Sequence, residues 1–205
     1  MAVPKTIFFD FAGVLCHDRF YGETVKMQYP SVHNWIQQNI FGDDNKLVKD
    51  WMRGKVSARQ INHIVAEHTG IDYDQLHRLF VESIRNMKVD ERIIDLARRL
   101  KRDGQTPGIV TDNMDVFTEI IVSNHKLNEL FDVIINSADH GYLKKDENGK
   151  LFDIAIATLG KGDFGRTLLI DDSADTIELY RGKGGNAFLY NNFEELQAES
   201  PWDRE

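Results

Sequence analysis

Along the chain, short wholly apolar runs alternate with longer stretches in which apolar residues recur every three or four positions. Three of the runs, TIFFD (6–10), TPGIVTD (106–112) and RTLLIDD (166–172), stop on a Thr or Asp. Apolar side chains on successive positions, without polar alternation, predict strands covered on both faces, as in a parallel sheet. Two weaker runs, FDVIINS (131–137) and NAFLY (186–190), bring the predicted sheet to five strands. Between them, residues 90–104 carry Ile93, Leu96, Ala97 and Leu100 at helical spacing, with an acidic start, a basic end and a closing glycine. Residues 115–127 and 153–162 have similar patterns, and 174–185 starts acidic and stops on glycines. Strands alternating with helices predict an α/β, doubly wound, mainly parallel sheet with right-handed crossovers. Such sheets gather their functional groups at the carboxyl ends of the strands.

Residues 19–88 break the rhythm. They hold no convincing strand but four helical patterns, at 31–41, 44–53, 57–70 and 72–87. Ser57 and Asp72 are predicted N-caps and Gly70 a helix stop. The chain is therefore expected to divide into a core of residues 1–18 and 89–205 and an inserted α-helical cap, 19–88, lying beside the mouth of the first strand. Trp35, Phe41, Trp51 and Phe80 are read as the core of that cap. No internal repeat or low-complexity segment interrupts it.

Composition narrows the function. With 205 residues, 41% hydrophobic and 28% charged, the chain suits one core carrying a smaller module. The lone Cys16 rules out an internal disulfide and reads as a small buried hydrophobe. Asp10 interrupts the N-terminal apolar run and no small-residue cleavage site follows, so a cytoplasmic protein is expected. No apolar stretch approaches the roughly 18 residues a bilayer span requires, so no membrane role is expected. A net charge of −8 without a basic cluster argues against nucleic acid, while leaving room for a small anionic ligand in a locally positive pocket. No heptad pattern sets an oligomeric state.

Asp10, Thr111, Asp171 and Asp172 all fall at the ends of predicted central strands, which the fold would bring together. Converging carboxylates repel one another, and a hard cation with oxygen ligands, such as Mg²⁺, keeps them ionised. His33, His63, His68 and His77 lack the paired spacing and third ligand of a zinc site.

In chain order these residues resemble the four motifs of the haloacid dehalogenase-like hydrolase superfamily, over most of the chain. Asp10-Phe11-Ala12-Gly13-Val14 matches D-x-D-G-[VT] except at Ala12; GIVTDN supplies the strand ending in Thr111; SADHGYLKKD meets G-x-x-K-P at Gly141 and Lys144, with Lys145 in place of proline; Asp171-Asp172-Ser173-Ala174-Asp175 matches D-D-x-x-x-[DN]. The resemblance implies a Rossmann-like core with a cap. Within the superfamily the opening and cap look like the branch of sugar-phosphate phosphatases and epoxide hydrolase phosphatase domains. It further implies a Mg²⁺-dependent phosphatase acting on a small phosphorylated metabolite. Asp10 would be the nucleophile forming an aspartyl-phosphate, and Mg²⁺ would be held by Asp10, the carbonyl of Ala12, Asp172 and Asp171. Lys144, or Lys145 in its place, and Thr111 would bind the phosphoryl group. Asp112 would offer its backbone N–H with its side chain turned away, Gly13 would support the turn, and Asp175 would hold Lys144, hold a metal-bound water or cap a helix. Dehalogenases of the superfamily work without metal and usually lack the full Asp171–Asp172 pair.

Ala12 is the departure. Relatives place there the aspartate that protonates the leaving group and activates water, work worth about 10²- to 10⁴-fold. Four readings stand open: a slow phosphatase drawing its acid from His17, Asp18, His63 or His68; a carbon–phosphorus hydrolase like phosphonoacetaldehyde hydrolases, using a cap lysine among Lys26, Lys46, Lys49 and Lys55; a non-catalytic binder of phosphorylated ligands; or a substitution of an original aspartate that traps substrate.

Overall fold

The computed structural model describes residues 4–42, 45–160 and 162–202. Position 44 of the helix predicted at 44–53, position 161 of that predicted at 153–162, and the ends of the core at 1–3 and 203–205 lie outside the described residues. Five strands, β1 (Thr6–Phe9), β2 (Thr106–Thr111), β3 (Val133–Asn136), β4 (Thr167–Asp171) and β5 (Asn186–Leu189), form one sheet ordered β3-β2-β1-β4-β5. Every pairing is parallel. The chain winds outward from β1 in one direction through β2 and β3, then returns to the other side of β1 for β4 and β5. That reversal opens a crevice at the carboxyl ends of the central strands, where α/β sheets bind their ligands.

Alternation within β1 explains both layers. Ile7 and Phe9 face a cluster built with Ile93, Ala97 and Leu100 of α6 (Glu91–Arg102), while Phe8 faces Leu151, Phe152 and Tyr180. These last belong to α10 (Lys150–Thr158) and α11 (Ala174–Gly182).

Between β1 and β2 lie α1 (Glu23–Gln28), α2 (Pro30–Asn39), α3 (Lys46–Met52), α4 (Ala58–Thr69) and α5 (Tyr73–Arg85), followed by α6. Ser57 caps α4 through a reciprocal box with Gln60, Gly70 closes it at φ +72°, and Asp72 caps α5 by accepting from Gln75 N–H. Trp51 and Phe80 are fully buried, whereas Trp35 and Phe41 pack from the edge. The apolar residues of these helices join the same cluster as Ile7 and Phe9, so insert and sheet share one continuous apolar contact. Two backbone stems lead in and out: Cys16 pairs with Val89, Asp90 N–H donates to Leu15 carbonyl and Lys88 N–H to Asp18 Oδ2.

Local pattern placed several helix ends inexactly. The helix predicted at 115–127 is helical over 115–124, with a π-helical stretch at Phe117–Ile121 running into the short α7 (Val122–Asn124), and Lys126 in the left-handed region (φ +53°) follows its end. A separate turn, α8 (Leu127–Leu130), follows. The helix predicted at 153–162 starts at Lys150 and stops at Thr158, ahead of Gly160 at φ +75°. Helix α1, α9 (Ser137–His140) and α12 (Phe193–Glu199) bury too few side chains to leave a periodic signal.

Candidate active site

Asp10 follows β1 directly, and its N–H donates to Ile170 carbonyl of β4 (2.9 Å), which ties the end of one central strand to its neighbour. Its carboxylate is almost fully buried. Oδ1 accepts from Phe11 N–H (2.7 Å) and Oδ2 from Lys144 Nζ (2.7 Å). The same ammonium donates to Asp171 Oδ2 (2.7 Å), whose other oxygen accepts from Ser173 N–H (2.9 Å). Lys144 and Asp171 are themselves buried, so one cation bridges two carboxylates out of water. Asp172 completes the set: oxygens of Asp10, Asp171 and Asp172 can all lie within 4.8 Å of one another.

The electrostatics follow from burial. Desolvation pushes the Asp10 carboxyl up to about 6 despite the opposing pull of Lys144, and neighbouring Asp171 pushes the same way. Burial and Asp171 also raise Asp172. Desolvation acts to lower the Lys144 ammonium, but Asp10, Asp171 and Asp112 outweigh it and hold it well above its ordinary value. Four carboxylates thus surround one ammonium. An all-oxygen donor set with excess negative charge fits a hard divalent cation, and its nitrogen- and sulfur-free composition does not suit zinc.

Gly13 makes this clustering possible. It sits at φ +82°, and a Cβ there would overlap the Asp172 carboxylate. Thr111 ends β2 fully buried with an unpartnered hydroxyl, close enough to help lower the Asp10 carboxyl. Ala12 lies exposed on the wall of a cleft of about 490 Å³ that Asp10, Lys144 and Asp172 also line.

Several expectations need correction. Asp112 does not turn away from the site: its carboxylate lines the cleft and accepts Lys144 N–H (2.7 Å), fixing the backbone that carries the lysine. Asp175 pairs with Lys145 at the surface (2.8 Å) instead of holding Lys144, and makes no side-chain cap of α11. The adjacent lysines have diverged because Lys144 points into the acid cluster and Lys145 points out. His63 stacks on Tyr73 (3.9 Å) and His68 on Trp35 (5.1 Å), and neither lines the cleft. Lys26, Lys46, Lys49 and Lys55 do not line it either. His17 and Asp18 do.

Sequence reasoning passed over Arg19, which lines this cleft and an adjoining one of about 450 Å³. The charged triplet His17-Asp18-Arg19 immediately after the first strand's turn was the available signal. It also passed over Asp115, which accepts from Trp51 Nε1 (2.7 Å) and Ala58 N–H (2.9 Å) and so fastens α3 and α4 to the core. Nothing local foretells that pairing across more than fifty residues.

A family model described as haloacid dehalogenase-like hydrolase matches residues 4–179. The pyrimidine 5'-nucleotidase YjjG of Escherichia coli K12 is 22% identical over 132 residues, 62% of this chain and 57% of that protein, so the match spans just over half the curated relative. Among solved structures, a predicted HAD-like family hydrolase from Porphyromonas gingivalis superposes with a TM-score of 0.78 at 20% identity, covering 100% of both chains. The HAD family enzyme BT-2542 of Bacteroides thetaiotaomicron, in complex with magnesium and inorganic phosphate, gives 0.69 at 16% identity over 94% of this chain and 98% of that one. The L-2-haloacid dehalogenase of Xanthobacter autotrophicus gives 0.67 at 15% identity over 98% and 84%. At these identities the likeness is one of fold, and it spans relatives of differing chemistry.

Proposed function

Because the chain belongs to the haloacid dehalogenase-like hydrolases, we propose that it is a Mg²⁺-dependent phosphatase that hydrolyses the phosphate ester of a small metabolite through an aspartyl-phosphate at Asp10. One observation carries the reading: a single buried ammonium, Lys144, serves both Asp10 and Asp171 while Asp172 and Asp112 crowd the same point. A site built to displace halide from a neutral carbon has no use for that surplus of carboxylates. A site that takes a cation together with a dianionic phosphoryl group does.

Asp10, Asp171, Asp172 and the carbonyl of Ala12 would hold Mg²⁺, which when bound supplies the positive charge that lets a carboxylate approach a phosphate. The remaining work falls to the chain. Phe11 N–H fixes the Asp10 carboxylate, and a carboxylate needs no deprotonation to attack. Lys144 neutralises the phosphoryl oxygens as charge develops, and the unpartnered Thr111 hydroxyl donates to one of them. Asp112 holds the Lys144 backbone in place. The cleft suits a small molecule, and the net charge of −8 disfavours a polymeric anion. The cap lysines of the carbon–phosphorus alternative lie off the cleft, which weighs against it.

The test is turnover of a panel of phosphorylated metabolites with Mg²⁺ by the parent, Asp10→Asn and Ala12→Asp proteins. Release of phosphate by the parent or by Ala12→Asp, abolished by Asp10→Asn, supports the reading. Turnover retained by Asp10→Asn, or halide release from 2-haloacids without metal, overturns it.

A further inference from the structure

Ala12 leaves the leaving-group oxygen without its usual proton donor, yet the cleft walls carry few alternatives. Lys144 is bound to two carboxylates and Lys145 to Asp175. Asp112 accepts from Lys144 N–H, Asp18 accepts from Lys88 N–H, and burial raises the Cys16 thiol to about 11. His17 differs from all of these. It is exposed, and among the described residues its side chain makes no hydrogen bond or ion pair.

Its position is equally specific. His17 lines the cleft that holds Asp10 and also the adjoining cleft between the stem at 17–24 and the end of α5, so it stands where the two meet. A phosphoryl group at Asp10 with its leaving group extending into the second cleft places the scissile oxygen at that junction.

Resting on the phosphatase reading above, we infer that His17 is the general acid and base that replaces the aspartate missing at position 12. As Asp10 bonds to phosphorus, the bond to the ester oxygen breaks with its electron pair, and that oxygen takes the His17 imidazolium proton to leave as an alcohol. The neutral imidazole then takes a proton from the water that attacks phosphorus. The bond to Asp10 breaks, inorganic phosphate leaves, and the carboxylate and imidazolium are restored. The candidates at positions 18, 63 and 68 give way to this one on placement and partnership.

A general acid matters in proportion to how poor the leaving group is, so the experiment compares two esters of similar shape. With Mg²⁺, His17→Gln is expected to lower kcat/KM, which reports the steps up to departure of the leaving group, by about 100-fold or more on phenyl phosphate. On p-nitrophenyl phosphate, whose phenolate leaves without help, the loss should stay under about tenfold in the same terms. The double variant His17→Gln/Ala12→Asp should recover phenyl phosphate turnover, and an unchanged melting temperature shows that the exposed substitution leaves the fold intact. Equal losses on both esters, no loss on either, or a parent that gains phenyl phosphate turnover only through Ala12→Asp each overturn the role of His17. If neither the parent nor Ala12→Asp hydrolyses either ester or any member of the metabolite panel, the phosphatase reading itself falls, and the assignment falls with it.

Discussion

Arg53 and Asp146 are joined by two nearly parallel hydrogen bonds, Nε to Oδ2 at 2.6 Å and Nη2 to Oδ1 at 2.7 Å. Arg53 ends α3 of the inserted helices, and Asp146 Oδ2 also accepts Leu143 N–H (2.9 Å), one residue before Lys144. The insert therefore grips the loop that carries the buried lysine. The pairing holds the Asp146 carboxyl below and the Arg53 guanidinium above their ordinary values.

This clasp predicts coupling between fold and catalysis. In a double-mutant cycle of Arg53→Met and Asp146→Asn, the interaction should be worth about 1 kcal/mol of unfolding free energy, as for a partly shielded bidentate pair. Each single variant should also lower kcat several-fold with little change in KM, because Lys144 loses its register. Additive stabilities with unchanged kcat would show that the clasp is incidental.

Removing the buried ammonium should be costly. Lys144→Met leaves Asp10 and Asp171 facing each other out of water, and breaking a buried ion pair from one side costs about 3–5 kcal/mol. In chelator the variant should melt far below the parent, and saturating Mg²⁺ should restore it by a larger increment than it gives the parent. A variant that melts like the parent in chelator contradicts the bridging role.

Gly13→Ala should weaken metal binding while the protein still folds. The new methyl group meets the Asp172 carboxylate and the backbone sits at φ +82°, so Asp172 is driven out of the cluster. A stability loss of about 1 kcal/mol is expected from the backbone alone. Loss of one of three carboxylates should weaken Mg²⁺ binding by about tenfold or more, read by calorimetry. Unchanged affinity would mean that Asp172 is not a ligand.

Mg²⁺ binding should depend on pH through Asp10. Burial raises its carboxyl from 3.8 to about 6, so below that value a proton competes with the cation. Affinity should fall about tenfold for each pH unit below the midpoint and level off above it. The same shift bears on stability: the folded protein keeps a proton that the unfolded chain has released between 3.8 and about 6, so this group makes the metal-free protein less stable as pH rises across that window. Isothermal titrations on either side of the midpoint check the first sign, and melting in chelator across the window checks the second.

Much of this architecture is readable one segment at a time. TIFF, TPGIVT and TLLID announce buried strands because apolar residues fill successive positions when both faces are covered, and the Asp or Thr that ends or directly follows each run marks the carboxyl edge. Ser57, Gly70 and Asp72 announce helix ends because the backbone groups they satisfy are their own neighbours. Helix α1 leaves no periodic signal because ETVKMQ buries only Val25, whereas the helix over 115–124 is legible because its π-helical stretch keeps apolar residues at nearly helical spacing.

Periodicity and strand ends are properties of adjacent residues, so the parallel sheet, the helical insert and the gathering of Asp10, Thr111, Asp171 and Asp172 at one edge are legible along the chain. That Lys144 and not Lys145 enters the cluster, that Asp175 belongs to Lys145, that Arg53 reaches Asp146, and that His17 lines both clefts with no side-chain partner among the described residues all emerge from the folded arrangement. Charge interactions are set by distance through space and by how much water is excluded between the groups, and neither quantity is written in the order of the chain.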